Sequence, residues 1–297
     1  MKKNILITAL FCMLASPMIH AQMDTLKEAI EQLIKTKKAQ IGVSIYRLEK
    51  EDALNINNEQ HFPLQSVFKF PIALTVLHEV DKGNLSLDQK IYISKHDLLP
   101  NTWSPIREKY PNGEVHLPLS EIIKYMVAES DNNGCDILLR LIGGTTKVND
   151  YMHKIGIKEM EIAVNEEEMH KEWDIQFLNW TTPNAATELL KVFYDQKILS
   201  PKSYAYLWKV MSATVSGKNR IKGQLPPGTI VAHKTGTSDT NEQGLTAALN
   251  DIGIVTLPNG QHFAISVFVS NSSEDEATNE QIIADISKMA WDYFAGK

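Results

Sequence analysis

Ser66 and Lys69, three positions apart, are a pair of residues in this chain that could carry out covalent chemistry. Residues three apart on a helix share one face, so the lysine amine can reach the serine hydroxyl. A hydroxyl beside an amine that burial makes less basic is a nucleophile with its own activating group. Alone, the Ser-x-x-Lys pattern also fits an ordinary helix start whose lysine reaches solvent. Other residues of the chain are therefore needed to distinguish a catalytic pair from such a helix start.

Two further short motifs have both a functional and an ordinary structural interpretation. Ser130 and Asn132 belong to a Ser-Asp-Asn run between helical segments, where a helix cap with an Asx turn would explain them. Functionally, Ser130 would relay a proton to a leaving nitrogen, and Asn132 would hold a substrate carbonyl. In the strand-like run Lys-Thr-Gly-Thr, Gly236 would let a ligand approach the backbone, with charge from Lys234 and an N–H from Thr237.

The serine and lysine of the first pair belong to a segment that predicts a buried helix. Apolar residues cover nearly every side from Ser66 to Lys82, which is typical of a helix inside a domain. Gly83 supplies the usual left-handed end. Pro71 lies early in this segment, where it should cost one backbone bond or shift the start of the helix.

Strand patterns near both termini and helical patterns between them predict an α/β (α+β) fold. The strand patterns cover residues 41–48, 53–56, 230–234, 245–249, 253–257 and 262–270. Helical patterns, besides the one described, cover residues 24–38, 119–128, 135–142, 146–155, 183–194, 201–211 and 275–294. We therefore expect one antiparallel sheet formed by both termini and flanked by helices, plus a helical lobe, with the site in the cleft between them.

The domain boundaries follow from this division. Residues 22–61 and 216–297 would form the α/β sheet lobe, and residues 62–215 the helical lobe. Within the helical lobe, periodicity fails over residues 162–182, which include Glu166 and several aromatic residues. A long ordered loop pinned by aromatic side chains is uncommon unless it is functional.

Composition excludes several classes of protein. The 297 residues are 43% hydrophobic and 22% charged with a net charge of −6, so no basic excess favours nucleic acid. Residues 1–21 read as a secretory signal peptide, which predicts a periplasmic protein, free of the membrane after cleavage and monomeric. Cys135 then remains alone, and we expect it to be a small buried hydrophobic residue. The histidines lack metal-ligand spacing, so neither a metal nor another cofactor is expected.

Together, the three motifs and Glu166 resemble the class A serine β-lactamases, and the wording Asn-Glu-x-x-Met-His around Glu166 resembles their PER-type branch. The resemblance covers essentially the whole chain after the signal. It implies a serine β-lactamase/penicillin-binding transpeptidase-like fold and hydrolysis of a small-molecule β-lactam substrate. It also implies good turnover of cephalosporins, including oxyimino types.

The resemblance also assigns a role to each matching residue. Ser66 would attack the β-lactam carbonyl, with the base work shared between Lys69 and Glu166, and Glu166 would activate the deacylating water. The oxyanion hole would be formed by the backbone N–H groups of Ser66 and Thr237. The remaining roles would be proton relay by Ser130, carboxylate binding by Lys234, Thr235 and Arg220, amide binding by Asn132, and a cleft wall formed by Trp103.

Two residues depart from the commoner class A pattern. His170 stands where many members have an asparagine, and it would either orient the hydrolytic water or brace the loop. The strand after Lys234 lacks the usual arginine, which makes Arg220 the substitute. A DD-peptidase with slow deacylation and a non-hydrolysing penicillin-sensor domain stay open as alternatives, although Glu166 argues against the first and the lack of a retained membrane span against the second.

Overall fold

The computed structural model describes residues 15–50 and 52–296, with side chains from Met23 onward. Most of the predicted signal peptide, residues 1–21, lies outside this described part, so that prediction stays untested. None of the described helices combines the length and apolar character needed to cross a membrane.

The described helices follow the predicted order, with one short addition at Pro105–Lys109 and another inside the loop. They are α1 (Ala15–Lys35), α2 (Lys69–Asp81), α3 (Pro105–Lys109), α4 (Leu119–Ala128), α5 (Asn132–Ile142), α6 (Thr145–Lys154), α7 (Glu166–Met169), α8 (Pro183–Tyr194), α9 (Pro201–Ser212) and α10 (Glu276–Ala295). Single 3₁₀ segments also occur at Gln65–Phe68, Lys95–Asp97 and Trp173–Leu178.

The described strands form three sheets of different sizes. They are β1 (Gln40–Arg47), β2 (Asp52–Ile56), β3 (Phe62–Pro63), β4 (Lys90–Ile93), β5 (Val115–Pro118), β6 (Met160–Glu161), β7 (Trp180–Thr181), β8 (Val231–Thr237), β9 (Thr246–Thr256) and β10 (His262–Ser272). The main sheet has the order β2-β1-β10-β9-β8, and all its neighbours are antiparallel. The predicted sheet built from both termini is therefore confirmed.

One strand prediction was wrong. The two strands predicted over residues 245–249 and 253–257 are one continuous strand, β9. Asn250 and Asp251 interrupt the apolar pattern, yet both are fully buried because each has a partner inside the protein. Asn250 Nδ2 donates to the carbonyl oxygen of Pro63 at 2.8 Å, and Asp251 contacts His233.

The buried residues fall into two apolar clusters, one on each face of the main sheet. The larger cluster surrounds α2, where every residue from Lys69 to Leu77 is buried. The smaller one lies between the sheet and α1 and α10, and it includes Trp291 and Phe294. Cys135 is fully buried in the larger cluster, and burial raises the pKa of its thiol, as expected for a packing residue.

The helix that carries the nucleophile pair begins later than its pattern suggests. Ser66 lies in the 3₁₀ segment, and the α-helix starts at Lys69. Pro71 therefore falls in the first turn, where its missing N–H would have had no partner within the helix. Of the two outcomes expected for Pro71, the structure shows the shifted helix start.

Candidate active site

The Lys69 amine is the centre of a buried polar cluster at the cleft between the two lobes. Its Nζ lies 2.8 Å from Ser66 Oγ and 2.7 Å from Glu166 Oε1. It also donates to the carbonyl oxygen of Ser130 at 2.9 Å and to the Asn132 side-chain oxygen. Because the Lys69 side chain is fully buried, these contacts fix the position of the amine between the serine hydroxyl and the carboxylate.

Ser130 connects this cluster to a second buried lysine. Its hydroxyl lies 3.0 Å from Lys234 Nζ and 3.4 Å from Lys69 Nζ. The Ser130 backbone has a φ of 58°, in the left-handed region, which costs energy for a residue with a side chain. Burial lowers the pKa of Lys234 well below its usual range, and the nearby Lys69 charge lowers it further. The Ser130 hydroxyl therefore lies between two buried amines, where it can move a proton from one to the other.

Gly236 is required by the chain's own backbone. A Cβ at this position would lie 2.6 Å from the carbonyl oxygen of Leu64 and 3.1 Å from Gln65 Cβ. The turn before Ser66 thus approaches this glycine closely, while the approach of a ligand along the strand stays a prediction. The glycine thus lets strand β8, which includes Thr237, pack directly against the segment that carries the nucleophile.

Arg220 lies beneath Thr237, almost entirely buried. Its Nη1 donates to the carbonyl oxygens of Gly236 and Asn250 at 3.1 and 3.0 Å, and its Nη2 donates to Thr237 Oγ1 at 2.8 Å. Its Nε contacts Glu280 Oε1 at 3.3 Å. Within the described structure these contacts take up four of the five guanidinium N–H groups, so one remains for a substrate.

The open part of the cleft has a volume of about 620 Å³ and is lined by both lobes. Trp103, 58% exposed, forms part of its wall, and its indole N–H donates to the carbonyl oxygen of Glu129 at 2.8 Å. On the strand side, the Thr235 hydroxyl lies 2.7 Å from the Ser216 hydroxyl, and both residues line the cleft. The cleft thus has an aromatic wall on the helical lobe and a row of hydroxyl groups on the sheet lobe.

The loop that carries Glu166 is held by two polar side chains. The carboxylate of Asp136 on α5 accepts the backbone N–H groups of Glu166 and Glu167 at 2.9 and 3.0 Å. Asn179 is fully buried; its side-chain oxygen accepts from Ala163 N and Val164 N, and its amide donates to the Val164 carbonyl at 2.8 Å. These polar contacts fix the loop together with the aromatic residues that the sequence suggested, since the Trp180 ring stacks on His61 with 3.5 Å between centroids.

His170 contacts the backbone of the same loop. Its Nδ1 lies 2.7 Å from the carbonyl oxygen of Glu166, at the end of helix α7. The ring is exposed and lines the cleft. This contact is the one that a bracing role requires, although the ring also faces the space beside Glu166.

The structure brings the predicted site residues together, and it adds residues that sequence reasoning missed. Asp136 and Ser216 contact predicted site residues, and Asn179 binds the loop that carries Glu166, but none of the three was predicted. Asp136 and Asn179 bind backbone groups, which leave no pattern in the sequence. Asn179 was noted only as part of the aromatic-rich loop, and the failure of periodicity there was the available signal.

The polar side chains of the cleft define the chemistry that it can carry out. Among the residues that the structure describes, no group of three or more histidine, cysteine, aspartate or glutamate side chains is arranged to hold a metal ion. The chemistry available is a hydroxyl nucleophile, two buried amines and a buried carboxylate, which is a set suited to acyl transfer and hydrolysis.

Comparison with known proteins gives consistent matches over almost the whole chain. The profile of the Beta-lactamase enzyme family matches residues 25–294. Beta-lactamase VEB-1 of Pseudomonas aeruginosa is 52% identical, covering 99% of each chain, and extended-spectrum beta-lactamase PER-1 of the same organism is 44% identical, covering 92% of this chain and 88% of its own. The crystal structure of TLA-1 extended spectrum beta-lactamase is 55% identical with a TM-score of 0.91, covering 92% of this chain and 99% of its own.

Proposed function

This chain belongs to the beta-lactamase enzyme family, and from that premise we propose that it opens the β-lactam ring through an acyl-enzyme on Ser66, which a water activated by Glu166 releases. The observation that carries the proposal is the Lys69 amine, held 2.8 Å from the Ser66 hydroxyl and 2.7 Å from the Glu166 carboxylate. One buried amine thus connects the nucleophile to the carboxylate. Hydrolysis of a β-lactam antibiotic in this way confers resistance.

In the acylation step, Ser66 Oγ forms a bond to the β-lactam carbonyl carbon while its proton passes to Lys69 or Glu166. Both routes are open, because the amine contacts the hydroxyl directly and the carboxylate contacts the amine. The backbone N–H groups of Ser66 and Thr237 would stabilise the oxyanion. The close packing of Gly236 on the turn before Ser66 supports this pairing, since it brings the two backbones together.

Ring opening requires a proton on the departing nitrogen. Ser130 supplies it in this proposal, because its hydroxyl lies within hydrogen-bond distance of Lys234 and 3.4 Å from Lys69. A proton gained by Lys69 in the first step can therefore return through Ser130 to the nitrogen, and the C–N bond breaks as that proton arrives.

Deacylation consumes one water. Glu166 takes a proton from that water, the hydroxide adds to the ester carbonyl, and Ser66 Oγ leaves and regains a proton. The two bonds from Asp136 to the peptide groups of Glu166 and Glu167 support this role by fixing the carboxylate's position. Between the two roles considered for His170, its bond to the Glu166 carbonyl favours bracing.

The substrate would lie between the aromatic wall and the hydroxyl row. Lys234, Thr235 and Arg220 would bind its carboxylate, with Arg220 acting largely through the Thr237 hydroxyl to which it donates. Asn132 would bind the side-chain amide, and Trp103 would bound the cleft. The open cleft, together with the extended-spectrum naming of PER-1 and TLA-1, supports turnover of cephalosporins that include oxyimino types.

We further propose that the protein works as a periplasmic monomer, exported by its first 21 residues. The lobes that form the cleft would be residues 22–61 with 216–297, and residues 62–215.

A single experiment tests the mechanism against the peptidase and sensor alternatives. Glu166→Ala should acylate and then stay acylated, so mass spectrometry after mixing with a chromogenic cephalosporin should show a long-lived adduct on Ser66. Ser66→Ala, the matched control, should fold normally and show neither adduct nor turnover. Continued turnover in Glu166→Ala without an adduct would refute the role of Glu166, and a parent protein that gives only a stoichiometric burst would instead be a peptidase or sensor.

A further inference from the structure

His233 and Asp251 form a buried pair in the main sheet that takes no part in the mechanism above. Both side chains are fully buried, and His233 Nδ1 lies 2.9 and 3.0 Å from the two carboxylate oxygens. The other ring nitrogen, Nε2, is also buried and has no hydrogen-bond partner among the described residues. A buried N–H without an acceptor is costly, so the ring proton belongs on Nδ1, where it donates to Asp251.

The strand register places this pair directly beside the strand residues that line the cleft. Asp251 is the cross-strand partner of Thr235, and His233 is the partner of Gly253. Paired residues project from the same face of a sheet, so both side chains share the face of Thr235. A Cβ at Gly253 would lie 2.7 Å from His233 Cβ, so glycine at that position makes room for the histidine.

The two ends of the segment that supports the hydroxyl row are held at this pair, one by the backbone carbonyl of His233 and the other by the Asp251 carboxylate. At one end, Thr214 Oγ1 donates to the carbonyl oxygen of His233 at 2.9 Å. At the other end, the backbone N–H of Ile221 donates to Asp251 Oδ2 at 3.3 Å. Between these two anchors lie Ser216, which contacts the Thr235 hydroxyl, and Arg220, which donates to the Thr237 hydroxyl.

We infer that His233 and Asp251 are positioning residues for the carboxylate-binding side of the active site, because the His233 imidazole orients the Asp251 carboxylate, and that carboxylate holds Ile221 at the end of the segment beside strand β8. This inference rests on the proposed function, in which Thr235 and Arg220 bind the substrate carboxylate. The pair itself does not touch the substrate; it acts through the residues that do.

The charge of the pair adds to this positioning role. A neutral His233 satisfies the Asp251 carboxylate without cancelling its charge, so one buried negative charge remains beneath several cations. Burial lowers the pKa of Lys234, and the Asp251 charge opposes this effect. Burial also lowers the pKa of Lys222, and the same carboxylate opposes that effect.

The test compares a cephalosporin with its carboxylate methyl ester, in the purified full-length mature enzyme. The ratio of kcat/KM for the acid to kcat/KM for the ester measures carboxylate binding and is insensitive to loss of folded protein. His233→Ala removes the imidazole that orients the Asp251 carboxylate and should lower this ratio by about tenfold, since small displacements of binding groups have effects of that order. His233→Asn keeps an N–H near the position of Nδ1 and should keep the ratio within about threefold of the parent.

A control variant separates positioning from general destabilisation. Asp81 lies on the helical lobe and accepts from the Ser200 backbone at 2.7 Å and from the Ser203 hydroxyl at 2.6 Å. Asp81→Asn should lower the melting temperature without changing the ratio. Equal loss of activity toward acid and ester in His233→Ala would overturn the positioning role, as would a ratio in His233→Asn as low as in His233→Ala.

If His233→Ala fails to fold, Asp251→Asn supplies the same test, because asparagine keeps only one acceptor oxygen for its two donors, His233 Nδ1 and Ile221 N, and should also lower the ratio. A folded Asp251→Asn with the parent's ratio would overturn the inference. Failure of the proposed function is distinguishable, since a parent enzyme that does not discriminate acid from ester would show that the carboxylate is not bound here.

Discussion

Asp136 holds the Glu166 loop, but burying its carboxylate lowers the stability of the folded protein. Asp136→Asn should therefore slow the reaction without lowering the free energy of unfolding. Burial raises the pKa of Asp136 from its usual 3.8 to about 6, against the opposing effect of the backbone N–H of Glu166. The ionised carboxylate is therefore less favourable in the folded protein than in the unfolded chain. The difference corresponds to about 3 kcal/mol at pH 7. Asparagine, which carries no charge, avoids this cost.

The same substitution should slow deacylation. The carboxylate accepts two backbone N–H groups, and asparagine can accept only one while directing its own N–H toward the other. A hydrogen bond to a charged group contributes about 1.5–3 kcal/mol, so loss of one should slow the step that needs Glu166 by about 10- to 100-fold. Acylation should suffer less, because Lys69 keeps its direct contact with Ser66.

Two measurements check this prediction. Rapid mixing followed by mass spectrometry should show accumulation of acyl-enzyme in Asp136→Asn. The free energy of unfolding at pH 7 should equal or exceed that of the parent. Because the folded pKa of Asp136 is raised, the parent should gain stability relative to the variant as pH falls from about 6 to 4. A variant that melts well below the parent at pH 7, and loses acylation and deacylation together, would refute the reasoning.

Three further substitutions test other contacts of the site. Gly236→Ala should lower kcat/KM at least tenfold, because its Cβ would lie 2.6 Å from the Leu64 carbonyl oxygen; parent-like steady-state kinetics would show that the strand tolerates displacement. Arg220→Lys should raise KM for a cephalosporin acid by about tenfold, because lysine cannot copy the forked contacts to Thr237 and the backbone; unchanged constants would remove the role. His170→Ala should lower the melting temperature and slow acylation and deacylation together; an unchanged melting temperature with accumulated acyl-enzyme would favour orientation of water instead.

Much of the fold could be predicted from the sequence because its signals are local. Helices α4 and α8 have their predicted bounds, and α8 has proline in its first turn, with the Thr182 side chain as its N-cap. The hairpin of β4 and β5 was missed, since its strands have four residues each, too few for alternation to stand out. The continuous strand β9 was divided because its buried polar residues have partners that are remote in sequence.

The same difference between local signals and contacts remote in sequence applies to the candidate site. The nucleophile, lysines and hydroxyl groups lie in short motifs whose spacing can be read directly, and the structure brings them into contact. The supporting contacts could not be read. Asp136 binds the Glu166 peptide across 30 positions, and His233 meets Asp251 across 18, so each pair depends on the tertiary fold. The packing of Gly236 against the Leu64 carbonyl could not be read either, because the two residues are remote in sequence.

The main sheet, which joins both ends of the chain, has a consequence for how this protein folds. Strand β1 pairs along its whole length with β10, so that Gln40 faces Ser270. Contacts between such distant segments form slowly, because a long loop must close before they stabilise the sheet. Until the last strands are available, β1 and β2 form only a hairpin with an unpaired apolar edge, and such edges promote aggregation. A chain truncated before His262 should therefore accumulate as an aggregate, even though every residue of the nucleophile cluster is present.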